Sequence, residues 1–121
     1  MTRTLQIIIP HELDDMSMDI NLFVHNMVQK LTARNYKADS WRSISTTKLT
    51  ELLMSELAEM IEARVKFKES LTDTRSSHRV DASDLVNECA DIANFAMFIS
   101  AVTRKEANTE NNTRNVVIMG R

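Results

Sequence analysis

Four acidic residues stand where a helical protein would be expected to carry apolar ones. With about 100° of rotation per residue, Leu49, Leu53 and Met60 lie close together on a helical wheel, and Glu56 falls between Leu52 and Leu53 inside that stripe. Glu59, three residues on, sits at its edge beside Leu52 and shares the face, because i and i+3 are neighbours on a helix. Glu88 and Asp91 repeat the spacing among Leu85, Ile92 and Phe95. Four carboxylates are therefore expected to point inward from two helices that must pack together. Buried ionised carboxylates are costly when nothing compensates them, and four together repel, so that some would take up protons. A divalent cation resolves both problems, and hard oxygen ligands suit Mg²⁺ or Mn²⁺, with room for two ions. One such acid alone reads better as a solvated rim residue or half of an ion pair with Arg64 or Lys66. Two i,i+3 pairs on successive helices favour the metal. A di-iron bundle would want Glu-x-x-His; neither pair has a His three residues on, and His11, His25 and His78 fall outside both, so iron is disfavoured.

The elements that must position these acids follow from periodicity. Ile20, Phe23, Val24, Met27 and Leu31 recur at three- and four-residue steps and predict a first helix over about 18–34. A polar connection carrying Lys37 and the single tryptophan, Trp41, leads to a second helix from 45 or 46 to about 69, striped by Leu49, Leu52, Leu53, Leu57, Met60 and Ile61. After a polar loop at 70–80, Asp81 or Ser83 caps a third helix to about 104. That helix is apolar on nearly every side, from Leu85 and Val86 to Phe98 and Val102. A helix apolar all round must be buried all round, and two neighbours cannot cover it, so a homo-oligomer, dimer or tetramer, is expected. Residues 105–115 are polar and read as a mobile tail. Two short apolar runs, 5–9 (stopped by Pro10) and 116–119, could pair as a small β element.

The expectation is thus an all-α helical bundle, one domain over 1–121 with its core at about 18–105. Composition agrees: 121 residues suit one modest core, and one Gly and one Pro leave little material for the turns a sheet protein needs. A net charge of −2 excludes a polybasic nucleic-acid binder, and 43% hydrophobic residues exclude an acidic disordered chain. The lone Cys89 forms no intramolecular disulfide and points to a reducing compartment. No consecutive apolar run reaches the roughly 18 residues of a membrane span, and 5–9 is too short for a signal peptide. These features together predict a cytoplasmic protein with neither membrane nor nucleic acid as partner.

Glu56-x-x-Glu59 followed after a spacer by Glu88-x-x-Asp91 resembles the metal-binding signature of the MazG-like, all-α nucleoside triphosphate pyrophosphohydrolases, and Lys30-Leu31-x-x-x-Asn35-x-Lys37-x-x-x-Trp41-Arg42 resembles bacteriophage-type members. The resemblance covers roughly residues 20–105; the terminal segments have no counterpart in it. It implies a helical bundle assembled as a tight dimer or a pair of dimers. It also implies hydrolysis of a nucleoside triphosphate to the monophosphate and pyrophosphate, with Glu56, Glu59, Glu88 and Asp91 as Mg²⁺ ligands. Purine deoxynucleotides, dGTP or dATP, are the first expectation for the substrate, with a role in reshaping a nucleotide pool during infection. Mg²⁺ would neutralise phosphate oxygens and acidify a bound water, and one carboxylate, Glu59 the first candidate, could orient or deprotonate it. Lys37 and Arg42 could bind phosphate or simply be solvated. Trp41 could stack on a base or plug the connection between helices. Asn94 could donate to phosphate or sugar, or to a backbone group at a helix seam. Two other classes remain open: a non-catalytic helical dimer acting as a regulatory or adaptor module, which leaves four inward acids unexplained, and a metal-buffering bundle without turnover.

Overall fold

The structure, a computed structural model, describes residues 3–33, 40–72 and 78–119, the side chains of 78 and 110–119 excepted. Residues 3–10 form an extended arm ending at Pro10, which opens a short 3₁₀ segment, His11–Met16. Leu13 N–H donates to the Pro10 carbonyl at 2.9 Å, and Leu13 itself leaves helical geometry (φ −109°, ψ 16°). The chain bends there and enters α1 (Ser17–Ala33). α2 (Thr46–Thr72) and α3 (His78–Met119) complete the fold.

α2 starts where its cap residue places it. The Ser45 hydroxyl accepts the Lys48 N–H at 3.1 Å, and the Ser45 carbonyl opens the helical ladder with Leu49. α3 is much longer than its apolar pattern predicted. No Gly or Pro occurs between 78 and 119, and the Asn and Thr residues of 105–115 lower helix propensity by only fractions of a kcal/mol each. Nothing in that stretch terminates the helix, which at about 1.5 Å per residue reaches some 60 Å. The polar tail expected to be mobile is therefore helical. Residues 116–119 lie in α3, and among the described residues no strand occurs, 5–9 included. The expected β element gives way to helix because an uninterrupted ladder satisfies backbone groups that a two-stranded ribbon would leave half exposed.

α2 and α3 run antiparallel. Leu49 shares the core with Phe98, Glu56 meets Glu88, and Lys66 faces the same cleft as Asp81. The core is small: Leu49, Ala90, Phe95, Phe98 and Val102 are its buried apolar residues. Trp41, Ile44, Leu31, Leu52, Leu53 and Ile99 close around it. The Trp41 ring stacks on Phe98 (4.5 Å, 17°), and Phe95 meets Phe98 edge-on (5.6 Å, 78°). α1 packs on α3 and contributes no fully buried residue.

Much of the apolar surface stays uncovered. Leu57 and Ile61, expected in the buried stripe of α2, are 43% and 49% exposed and join Met54 and Val65 in a second stripe on the flank of α2. α3, expected to be enclosed on all sides, presents Val86 and Met97 to the outside. By length and composition alone, Arg79–Thr109 is also apolar enough to cross a membrane, with a mean hydropathy of 1.3 and a third of it buried within the protein. Counting consecutive apolar residues missed this, because polar residues are scattered through the segment; they include the acids that face α1 and α2.

Candidate metal centre

The antiparallel register carries the acid pair of α2 against that of α3, one to two turns beyond the aromatic core. Glu56 is buried, Glu88 half-buried and Glu59 exposed; one carboxylate oxygen from each lies within 4.8 Å of the others. Glu56 and Glu88 are joined by a side-chain hydrogen bond. Burial, then the charges of Glu59 and Asp91, push the Glu88 carboxyl above its ordinary value; the hydrogen bond to Glu56 and the charge of Lys30 pull the other way. Glu88 Oε2 is a buried atom without a hydrogen-bond partner among the described residues.

These residues fit a small divalent cation. Octahedral Mg²⁺ holds oxygens at about 2.1 Å, so two ligand atoms can stand no more than about 4.2 Å apart. The 4.8 Å grouping is only slightly wider than that, and a cation there would give Glu88 Oε2 the partner it lacks.

The fourth acid is placed differently. Asp91 is buried, its side chain 4% exposed, and its Oδ2 lies 3.3 Å from Lys30 Nζ on α1. It stands close enough to raise Glu88 but lies outside the three-carboxylate grouping. One turn further along α3, Asn94 is 2% exposed and its amide donates to the Met27 carbonyl of α1 at 3.1 Å, so it takes the backbone role, within one chain. Lys30 with Asp91 and Met27 with Asn94 form a two-point polar clamp, both partners spaced by three residues. It secures a helix that buries little apolar surface of its own.

Beside the three glutamates opens a cleft of about 290 Å³ lined by Lys30, Glu59, Glu62, Ala63, Lys66, Asp81, Asp84, Asn87 and Glu88. Lys66 pairs loosely with Glu62 at 3.8 Å, both well exposed. Sequence reasoning gave no site role to Lys30, Lys66, Glu62, Asp81 or Asp84, although a signal was present. Asp81, Asp84, Glu88 and Asp91 follow a 3-4-3 spacing that puts them on one face of α3, and Glu59, Glu62 and Lys66 do the same on α2.

Trp41 and Arg42 are not brought to this cleft. Glu56 lies ten residues into α2, about 15 Å along its axis from the first turn, whereas Trp41 and Arg42 precede that turn. Phe98 stacks on the Trp41 ring, and the Arg42 guanidinium lies over it at 4.4 Å from the centroid. Trp41 is thus engaged by Phe98 and Arg42 and packs against the core. Arg42 lines a separate groove of about 530 Å³ with Val102 and Lys105. Lys37 lies outside the described residues. In comparison with known proteins, no family model matches the chain, and neither a curated protein nor a solved structure does.

Proposed function

We propose that this protein is a metal-dependent nucleoside triphosphate pyrophosphohydrolase of the MazG-like kind, acting on a purine deoxynucleoside triphosphate such as dGTP or dATP. The observation that carries this reading is the meeting of Glu56, Glu59 and Glu88, from two antiparallel helices, at the head of a cleft that also presents Lys30 and Lys66. Five acids and two lysines line or border that cleft. A polyphosphate could not enter it without cations, and with Mg²⁺ bound the same acids become its anchor.

Bound Mg²⁺ would neutralise phosphate oxygens and orient the chain for in-line attack. Glu56 and Glu88, the more enclosed pair, would hold the cation. Glu59 is the member of the trio that solvent reaches, and it orients a water molecule and accepts its proton at a carboxylate oxygen. The water oxygen adds to the α-phosphorus, the bond to the bridging oxygen breaks, and pyrophosphate leaves with the electron pair. The lysines offset charge on the departing phosphates.

A cleft of about 290 Å³ is at the small end for a whole nucleotide. It suits the phosphate chain, and base and sugar require a further wall. The uncovered stripe of α2 supports a homodimer or a pair of dimers that supplies one. The same stripe favours the rival reading of a non-catalytic helical dimer serving as an adaptor. Incubation with Mg²⁺ and each common dNTP and NTP, with product chromatography, separates the two. Monophosphate plus pyrophosphate, abolished by Glu56→Gln in a folded protein, is the expected result. Absence of turnover with Mg²⁺ and with Mn²⁺ favours the adaptor.

A further inference from the structure

Lys30 has two neighbours of opposite meaning. It belongs to α1, the helix least committed to the core, and its ammonium meets the buried carboxylate of Asp91 at 3.3 Å while its side chain also lines the cleft beside Glu59 and Glu88. It is the more enclosed of the two lysines there, 23% exposed. Its place as counter-charge to a crowded group of acids depends on that group lacking any other cation.

We infer that Lys30 is a phosphate-binding residue held in reserve by Asp91: when a divalent cation joins the acids, Lys30 passes from Asp91 to the polyphosphate chain in the cleft. This rests on the pyrophosphohydrolase reading and adds to it a specific substrate contact. The physical reason is charge balance. Without a cation, the acids of α2 and α3 stand together with Lys30 as the ammonium that reaches Asp91. A doubly charged cation drawn to Glu56, Glu59 and Glu88, which lie beside the same ammonium, repels it and weakens its hold on Asp91. The nearest anion for which Lys30 can then exchange its partner is a phosphate oxygen in the cleft it already lines. Its flexible stem and three donors suit a phosphate whose position changes during reaction. The Asn94 to Met27 contact, one turn away, keeps α1 seated while Lys30 turns. Binding of cation and triphosphate is thereby ordered, with the cation first.

The test compares wild type with Lys30→Gln, which keeps a polar side chain on a shorter stem but carries no charge, and with Lys30→Arg. Calorimetry reads two affinities: Mn²⁺ alone, and a triphosphate analogue with a methylene between the α- and β-phosphates, in Mg²⁺. The nucleoside monophosphate serves as reference. For Lys30→Gln the expected results are Mn²⁺ affinity equal to wild type or a few-fold tighter, analogue affinity at least ten-fold weaker, and monophosphate affinity changed less than two-fold. Lys30→Arg is expected to restore the analogue to within about three-fold. Unchanged analogue affinity in Lys30→Gln overturns the assignment, as does a matching loss of Mn²⁺ and analogue affinity, which would make Lys30 only a support for Asp91. A wild type that binds Mn²⁺ but no analogue and hydrolyses no triphosphate overturns the pyrophosphohydrolase reading and this inference with it. A wild type that hydrolyses while Lys30→Gln binds normally overturns this inference alone.

Discussion

Replacing Glu88 by Gln is expected to make the metal-free protein more stable and the metal-supplemented protein no more stable than that. Glu88 has an oxygen within 4.8 Å of Glu59 and Glu56 and is hydrogen-bonded to Glu56. Two unit charges 4.8 Å apart repel by about 3.5 kcal/mol at an effective dielectric of 20 and by about 0.9 kcal/mol in bulk water. Glu59 is exposed, which moves the working value toward the lower bound, and Lys30 offsets part of it. A gain of about 1–2 kcal/mol near neutral pH follows, or roughly 4–8 °C in Tm for a domain of this size. Gln keeps the shape and can still donate to Glu56, so no cavity or orphaned donor opposes the gain. The assay is thermal and urea denaturation in EDTA and again in Mg²⁺. At a concentration one hundred times its Kd, the cation stabilises wild type by about 2.7 kcal/mol, while the variant gains next to nothing. A variant less stable than wild type in EDTA would refute the account of Glu88 as a strained charge. Equal Mg²⁺ stabilisation of both proteins would move the cation elsewhere.

The pH dependence has a definite sign. Because the Glu88 carboxyl is raised in the folded protein from its usual 4.5, its contribution to stability is fully present below that value and is lost as pH rises through the raised one. In EDTA, denaturation midpoints should therefore fall on going from mildly acidic to neutral pH more in wild type than in Glu88→Gln, and identical profiles would contradict the burial argument. Phe98→Ala removes a side chain 1% exposed that both Trp41 and Phe95 pack against, and should cost about 3–5 kcal/mol in urea unfolding, a large share of the stability of a small domain. Ile61→Glu, on the uncovered stripe of α2, should shift the mass seen by analytical ultracentrifugation toward monomer with helical circular dichroism intact. An unchanged mass would place the self-association surface elsewhere.

The three helices were readable in the sequence because a 3.6-residue period needs only the local order of apolar residues. Starts were clearest where a side chain does the work, as Ser45 does for α2. Ends were poorly legible: α3 runs on to Met119 because nothing stops it, and absence of a stop is a weaker signal than a cap. The i,i+3 spacing also disclosed that two acid pairs break an apolar face, so the carboxylates themselves were found before any packing was known.

Tertiary packing decided which of those acids meet, since that depends on antiparallel register. Three converge, and Asp91 goes instead to Lys30, a residue 61 positions earlier on another helix. The same packing spent Trp41 on Phe98 and Asn94 on the Met27 carbonyl, two side chains for which the sequence left a structural and a binding role equally open. A residue's type and spacing limit the chemistry it can do. Whether it does that chemistry depends on which other surface arrives beside it, and the contacts that bring distant segments together are made by whole helix faces, whose pairing is written in no single stretch of the chain.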